Sequence, residues 1–160
     1  MAAAEALGRA IAAKGWRLIY GAGDVGMMGA VATAASGSSG GSLGVIPQHL
    51  VAREAPEGGI GARVVTETMH ERKKVMFMNA DAVVVLPGGA GSLDEFFEVL
   101  TWGQLGLHRK PIFLLDVEGY WQPLIGLIDH VIAEGFADAS LKALVSVVPD
   151  VEALVAALEG

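Results

Sequence analysis

Apolar positions along the chain switch between short runs rich in β-branched residues and longer stretches with helical spacing. The short runs predict strands at residues 16–20, 42–46, 62–66, 82–86, 112–115 and 145–148. The longer stretches predict helices at residues 2–13, 27–35, 69–79, 92–105, 120–133 and 151–158. Because the strands are continuous apolar runs and do not alternate with polar residues, they are typical of a parallel sheet covered on both faces.

The alternation of strands and helices predicts an α/β fold with a doubly wound, Rossmann-like and mostly parallel sheet. The chain has 160 residues and shows no linker or internal repeat, so we expect a single domain over 1–160, with loops at 37–41 and 56–61. A helix opens the chain where such a fold usually begins with a strand. The first strand is therefore expected to be missing, either from the protein itself or because the start is shortened.

The composition narrows the class of protein. Eleven basic residues against 18 acidic ones give a formal net charge of −7, which argues against nucleic acid or a membrane surface as a partner. The absence of cysteine excludes disulfides, thiol catalysis and iron–sulfur clusters. The apolar runs are too short to span a membrane, so we expect a soluble, cytoplasmic protein. The four histidines lack a metal-binding spacing, and no metal site is expected.

A glycine-rich turn at residues 21–26 follows the first predicted strand and reads Gly-Ala-Gly-Asp-Val-Gly. This spacing matches the dinucleotide-binding pattern, which also requires an acidic residue at the end of the next strand. That acid is absent, so NAD binding is disfavoured. The remaining alternatives are a tight turn for close helix–strand packing and a turn that approaches a smaller ligand.

A second glycine-rich turn at residues 87–92 reads Pro-Gly-Gly-Ala-Gly-Ser and lies between a predicted strand and a predicted helix. Its glycines can direct successive backbone N–H groups into one concavity, and the start of the helix adds partial positive charge. The Lys-Ser/Thr pair of a triphosphate-binding loop is missing. The turn therefore predicts a site for a monophosphate or a similar small anion.

Two charged side chains are candidates for chemistry. Glu95 lies close to the second turn, where it is either a functional carboxylate or the partner of Ser92 in a capping box. Arg72 shares a helix face with Met69 and Met76, so its guanidinium is expected to point inward and to need a partner. It is interpreted either as a structural partner for a carboxylate such as Glu95 or as a fork that binds phosphate or orients that carboxylate.

Ordered motifs add a more specific indication. Residues 69–74 read Met-His-Glu-Arg-Lys-Lys, residues 80–82 read Ala-Asp-Ala, and residues 87–95 read Pro-Gly-Gly-Ala-Gly-Ser-Leu-Asp-Glu. In this order they resemble the signature of the LOG ("Lonely Guy") family of cytokinin riboside 5′-monophosphate phosphoribohydrolases, long described as lysine decarboxylases. The likeness covers nearly the whole chain. It departs from the family at Ser92, where threonine is usual, and at Ala22, where glycine is usual.

The resemblance implies hydrolysis of the N-glycosidic bond of a nucleoside 5′-monophosphate, giving free base and ribose 5-phosphate without a cofactor or a metal. It implies that Glu95 is the catalytic carboxylate, and that Arg72 keeps Glu95 ionised or clamps the substrate. It also implies a homodimer. The implied substrate-binding residues are Gly21, Gly23, Lys73, Gly88, Gly89, Ala90, Gly91, Ser92 and Thr101.

Three alternatives to this enzyme are open. The first is a protein that binds a nucleoside monophosphate without turning it over. The second is a nicotinamide-dependent oxidoreductase, which the missing acid disfavours. The third is lysine decarboxylation, for which the sequence shows no pyridoxal phosphate lysine. The preferred base, an isopentenylated adenine or adenine itself, is also left open.

Overall fold

The computed structural model describes residues 1–54 and 60–160. These residues divide into two units, 1–80 and 81–160, each built on a three-stranded sheet. Of the loop expected at 56–61, residues 56–59 lie outside the described part of the chain.

The first unit has a parallel sheet in the order β1-β2-β3. Its elements are α1 (Ala2–Lys14), β1 (Leu18–Tyr20), α2 (Gly26–Ala35), β2 (Ser42–Pro47), α3 (Val51–Glu54), β3 (Ala62–Thr66) and α4 (Met69–Asn79). Leu18 lies opposite Ser42, and Leu43 lies opposite Ala62. The central strand β2 is buried along its whole length, as its apolar run predicts.

The apolar runs predict that both faces of every strand are covered by the rest of the protein. This prediction is wrong for β3, where four of the five residues are exposed. An outer strand has a neighbouring strand on one side only. An apolar run indicates that a segment forms a strand, but it does not indicate whether that strand is central. The exposure of β3 therefore could not be predicted from its composition.

The first helix is held against α2 by small residues. A Cβ atom at Gly8 would lie 2.5 Å from the Cβ of Ala34 and 2.5 Å from the carbonyl oxygen of Val31, so only glycine permits this close approach. The helix ends at Gly15, which adopts the left-handed conformation (φ 66°) of a common C-terminal cap. The helix that opens the chain is thus an integral part of the first unit.

The second unit has a parallel sheet in the order β4-β5-β6. Its elements are β4 (Val83–Val85), α5 (Ala90–Gln104), β5 (Ile112–Leu115), α6 (Gln122–Ala133), α7 (Ser140–Ala143), β6 (Val145–Val148) and α8 (Val151–Glu159). Ile112 lies opposite both Val83 and Val145, which places β5 in the centre. Its four residues are all buried, and the core of this unit includes the fully buried Phe96 and Leu154.

The parallel pairing and the strand–helix alternation confirm the predicted α/β class. The predicted bounds agree with the structure for β3, α4, β5 and β6. The expectation of one domain over 1–160 stays a prediction. Across the part of the chain that is described, every helix is too short or too polar to cross a membrane.

Candidate active site

The second glycine-rich turn joins β4 to α5 and forms the first turn of that helix. Helix α5 begins at Ala90, with Gly89 as its N-cap residue. The amide of Leu93 makes the first intrahelical bond, to the carbonyl oxygen of Gly89 at 3.1 Å. The N–H groups of the residues before Leu93 therefore have no acceptor within the helix. These donors and the positive end of a 15-residue helix favour an anion at this turn.

Glycine plays different structural roles at different positions of this turn. A Cβ atom at Gly88 would overlap the hydroxyl oxygen of Ser92, so glycine allows that side chain to approach. Cβ atoms at Gly89 and Gly91 would meet no described atom within 4 Å. The backbone at these two residues is thus open to close approach by a ligand.

Of the two interpretations of Glu95, the capping box with Ser92 is wrong. Helix α5 begins two residues earlier than predicted, so Ser92 lies inside the helix, and no side chain caps its start. The sequence favoured a start at Ser92 because glycine is a poor helix former. In the structure Gly89 is the N-cap residue, and the helix begins directly after it. Glu95 accordingly lies half-buried in the second turn of α5, beside the fully buried Phe96.

In the first unit, Arg72 is a buried cation at the start of α4. Thr68 caps this helix in a capping box, with its hydroxyl accepting from the amide of Glu71 at 3.1 Å. This cap sets the orientation of the first turn, which carries Arg72. The side chain of Arg72 is buried, with Nη1 3.9 Å from the sulfur of Met69. The predicted inward orientation of Arg72 is thus confirmed, although Met69 on the same face is exposed.

The guanidinium of Arg72 has few partners. Nη2 donates to the carbonyl oxygen of Gly21 at 2.8 Å and lies 4.0 Å from Oε2 of Glu54. Neither Nε of Arg72 nor Oε2 of Glu54 has a hydrogen-bond partner among the described residues, although both atoms are buried. Buried polar groups are nearly always satisfied, so these two atoms are places where water or a ligand can bind.

The first glycine-rich turn is shaped by Arg72. A Cβ atom at Gly21 would overlap Nη2 of Arg72, so this glycine is required for the guanidinium to reach the turn. A Cβ atom at Gly23 would lie 2.7 Å from the terminal methyl of Met28, which is a flexible side chain. Ala22 is buried and adopts a left-handed backbone (φ 60°), a conformation that favours glycine. The sequence left two alternatives for this turn, close packing and the approach of a smaller ligand. At Gly21 the close neighbour is the side chain of Arg72, which fits close packing.

Tyr20 lies directly before this turn and is buried at the end of β1. Burial, and secondarily the negative charge of Asp24, raise the pKa of the Tyr20 phenol above its ordinary value of 10.0. The phenol is therefore neutral over the ordinary pH range.

Glu54 is the residue of this cluster that the sequence did not single out. It ends the short helix α3, beyond the carboxyl end of β2, and its backbone oxygen accepts from the amide of Asp24 at 3.2 Å. Its position after a buried strand is the one signal that could have found it, because ligands of α/β sheets bind at that edge.

The predicted site residues are divided between the two units. Gly21, Gly23, Arg72 and Lys73 lie in the first unit, and Gly88, Gly89, Ala90, Gly91, Ser92, Glu95 and Thr101 lie in the second. The structure brings Gly21 to Arg72 and gathers residues 88–92 at the start of α5, whereas Thr101 is exposed near the end of that helix. The pairing of Arg72 with Glu95 stays a prediction. Within residues 1–54 and 60–160, no three histidine, aspartate or glutamate side chains converge as metal ligands would.

Solved structures share this fold. The molybdenum cofactor binding protein of Rippkaea orientalis aligns with a TM-score of 0.71 at 22% identity, covering 99% of this chain and 85% of that one. The molybdenum cofactor carrier protein of Chlamydomonas reinhardtii aligns with a TM-score of 0.70 at 24% identity, covering 99% and 84%. At these identities the likeness supports the Rossmann-like fold alone.

Similarity in sequence is more specific. A family model described as "possible lysine decarboxylase" matches residues 28–158. A cytokinin riboside 5′-monophosphate phosphoribohydrolase of Rhodococcoides fascians is 46% identical over 156 residues, which is 97% of this chain and 79% of that protein. A protein of the same name from Arabidopsis thaliana is 42% identical over 98% of this chain and 72% of its own length. The family model matches more than half of the chain, and these relatives match nearly all of it. The chain therefore belongs to the LOG family, whose model carries the lysine decarboxylase description.

Proposed function

We propose that this chain hydrolyses the N-glycosidic bond of a cytokinin nucleoside 5′-monophosphate and releases the free base and ribose 5-phosphate. The observation that carries this proposal is the glycine turn at the start of α5, whose backbone donors suit a phosphate monoester. The names and the 40–46% identity of the relatives support the same reaction.

In this proposal the phosphate lies at the start of α5. Backbone N–H groups from Gly89 to Ser92 donate to its oxygens, and the Ser92 hydroxyl adds a further donor. The open faces at Gly89 and Gly91 allow the phosphate to approach the backbone closely. No lysine is needed for a monophosphate, because the helix start supplies partial positive charge.

Glu95 is the catalytic carboxylate in this proposal. Cleavage of the bond between C1′ and the base nitrogen builds positive charge on the ribose, which a carboxylate stabilises. The same carboxylate takes a proton from water as the water oxygen bonds to C1′, and the departing base takes up a proton. Thr101, further along α5, is proposed to line the same site.

Arg72 binds the substrate or keeps Glu95 ionised in this proposal. Its unused Nε donor and its two Nη groups suit an anionic or hydroxyl-rich ligand, and a planar guanidinium can engage two oxygens at once. Gly21 and Gly23 belong to the turn that Arg72 contacts, and they are proposed to bind the same ligand through their backbone groups. Lys73, the next residue on α4, supplies a second cation.

The finer parts of the proposal concern the substrate, the assembly and the location. AMP is proposed as a substrate in addition to the isopentenylated nucleotide. The two share the ribose, the phosphate and the bond that is cleaved, and they differ only by an apolar group on the exocyclic nitrogen. The protein is proposed to be a cytoplasmic homodimer, and size-exclusion chromatography with light scattering measures the oligomeric state. If the protein is a monomer by that measurement, the proposed dimer is wrong, but the proposed reaction is unaffected.

The experiment is chromatography for free base after incubation with AMP and, separately, with isopentenyladenosine 5′-monophosphate. We expect Glu95→Gln to lower kcat by at least about 100-fold, because a general acid or base contributes factors of that order. Asp94→Asn is the matched control, since it removes the same charge from an exposed position on the same helix. Undiminished base release by Glu95→Gln would remove Glu95 from the mechanism. Binding of AMP without base release by the wild type would favour the non-catalytic alternative.

A further inference from the structure

We propose that Tyr120 is a positioning residue that holds the glycine turn of α5 in its anion-binding form. This inference rests on the proposed function, because it assigns a residue to the phosphate end of the same site. The phenol of Tyr120 donates a hydrogen bond to the carbonyl oxygen of Gly88 at 2.8 Å. The two residues are 32 positions apart, so the contact ties the segment after β5 to the turn after β4 within the second unit.

The planar peptide bond between Gly88 and Gly89 links this contact to the anion-binding N–H group. The carbonyl of Gly88 and the N–H of Gly89 belong to one planar, trans peptide, so they point in opposite directions. Fixing the direction of the carbonyl therefore fixes the direction of the N–H that a phosphate would accept from. With glycine on both sides, this peptide can rotate at little steric cost unless an external group restrains it.

Tyr120 is itself fixed by buried neighbours. Asp116, a buried residue directly after β5, accepts from the backbone N–H of Trp121 at 2.6 Å and from the side-chain amide of Gln122 at 2.5 Å. The ring of Tyr120 lies edge-on to the buried ring of Trp121, with centroids 4.9 Å apart. These contacts anchor the phenol to the sheet, so its hydroxyl has a defined position from which to hold Gly88.

The exposure of Tyr120 separates this role from a role in stability. The residue is 51% exposed, so water can replace the phenol at the carbonyl of Gly88 when the hydroxyl is removed. The fold is then retained, but the Gly88–Gly89 peptide is free to sample orientations that do not bind phosphate. The apparent affinity for phosphate then equals the intrinsic affinity multiplied by the fraction of molecules that hold the binding orientation.

Tyr120→Phe tests the proposal, because it keeps the ring and removes the hydroxyl alone. We expect KM for the nucleoside monophosphate to rise about tenfold with kcat nearly unchanged. This is the pattern for a contact that stabilises the bound substrate and the transition state equally. Dissociation constants for ribose 5-phosphate and inorganic phosphate should rise by a similar factor. Affinity for free adenine, which carries no phosphate, is the internal control and should not change.

The outcomes separate this inference from the proposed function. Weaker phosphate binding by Tyr120→Phe, with an unchanged thermal midpoint, supports the role of Tyr120 even if the wild type releases no base. Equal phosphate affinity in both proteins overturns it, as does a wild type that binds no phosphate. A large fall in the thermal midpoint also overturns it, because the hydroxyl would then serve the fold.

Discussion

Replacing Arg72 by methionine tests whether this buried cation is kept for function or for stability. Methionine fills much of the volume of the arginine stem and lies among the sulfur and apolar groups already present on this face of α4. The change removes the hydrogen bond to Gly21 and the ion pair with Glu54. It also removes a charge that is only 6% exposed.

Several contributions to the free energy of unfolding oppose one another. The charged hydrogen bond to Gly21 is worth about 1.5–3 kcal/mol, and the ion pair with Glu54 adds about 0–1 kcal/mol because its distance is 4.0 Å. Against this, burying the guanidinium costs several kcal/mol, and its unpartnered Nε costs about 1–3 kcal/mol. The variant also leaves the buried Oε2 of Glu54 without its cation and the carbonyl of Gly21 without its donor. We therefore expect Arg72→Met to lower the free energy of unfolding by about 3–5 kcal/mol, as for a buried ion pair that loses one partner.

Activity should respond differently. Loss of the cation is expected to lower kcat/KM at least about 100-fold, which corresponds to about 2.7 kcal/mol of transition-state stabilisation. Urea denaturation measures the stability, and base release measures the activity. Arg72→Lys, which keeps the charge without the planar fork, should fall between the wild type and Arg72→Met. Undiminished kcat/KM in the folded fraction of Arg72→Met would refute the reasoning, because Arg72 would then serve the fold alone.

Two further predictions concern the same unit. Gly44→Ala would place a Cβ atom 2.7 Å from the Cβ of Ala22, so we expect a loss of about 1–3 kcal/mol in urea denaturation. Ala22→Gly should recover part of this loss in the double variant, and equal losses in both backgrounds would contradict the contact. Because the folded protein holds the Tyr20 proton more tightly than the unfolded chain does, the contribution of Tyr20 to stability should be constant below pH 10.0 and be lost as the pH rises through the folded pKa. Tyr20→Phe should flatten this fall, and a profile identical to that of the wild type would argue against it.

Local patterns predicted much of the fold. The start of α4 agrees with the prediction because Thr68 and Glu71 form a capping box there. The inward orientation of Arg72 was predicted from the helix face that it shares with Met69 and Met76. The start of α5 was placed two residues late, since the conformation of Gly89 decides it and glycine at that position permits many conformations.

The sequence by itself determined the α/β class, the elements, the two glycine turns and the charged candidates. These depend on contacts between residues that are close along the chain, and such contacts leave a periodic or motif-like signal. Only the tertiary structure decided which groups meet. Arg72 reaches the carbonyl of Gly21 across 51 positions, and Tyr120 reaches Gly88 across 32. Such pairs depend on the strand order of each sheet and on the path of each connection, and an apolar pattern specifies neither.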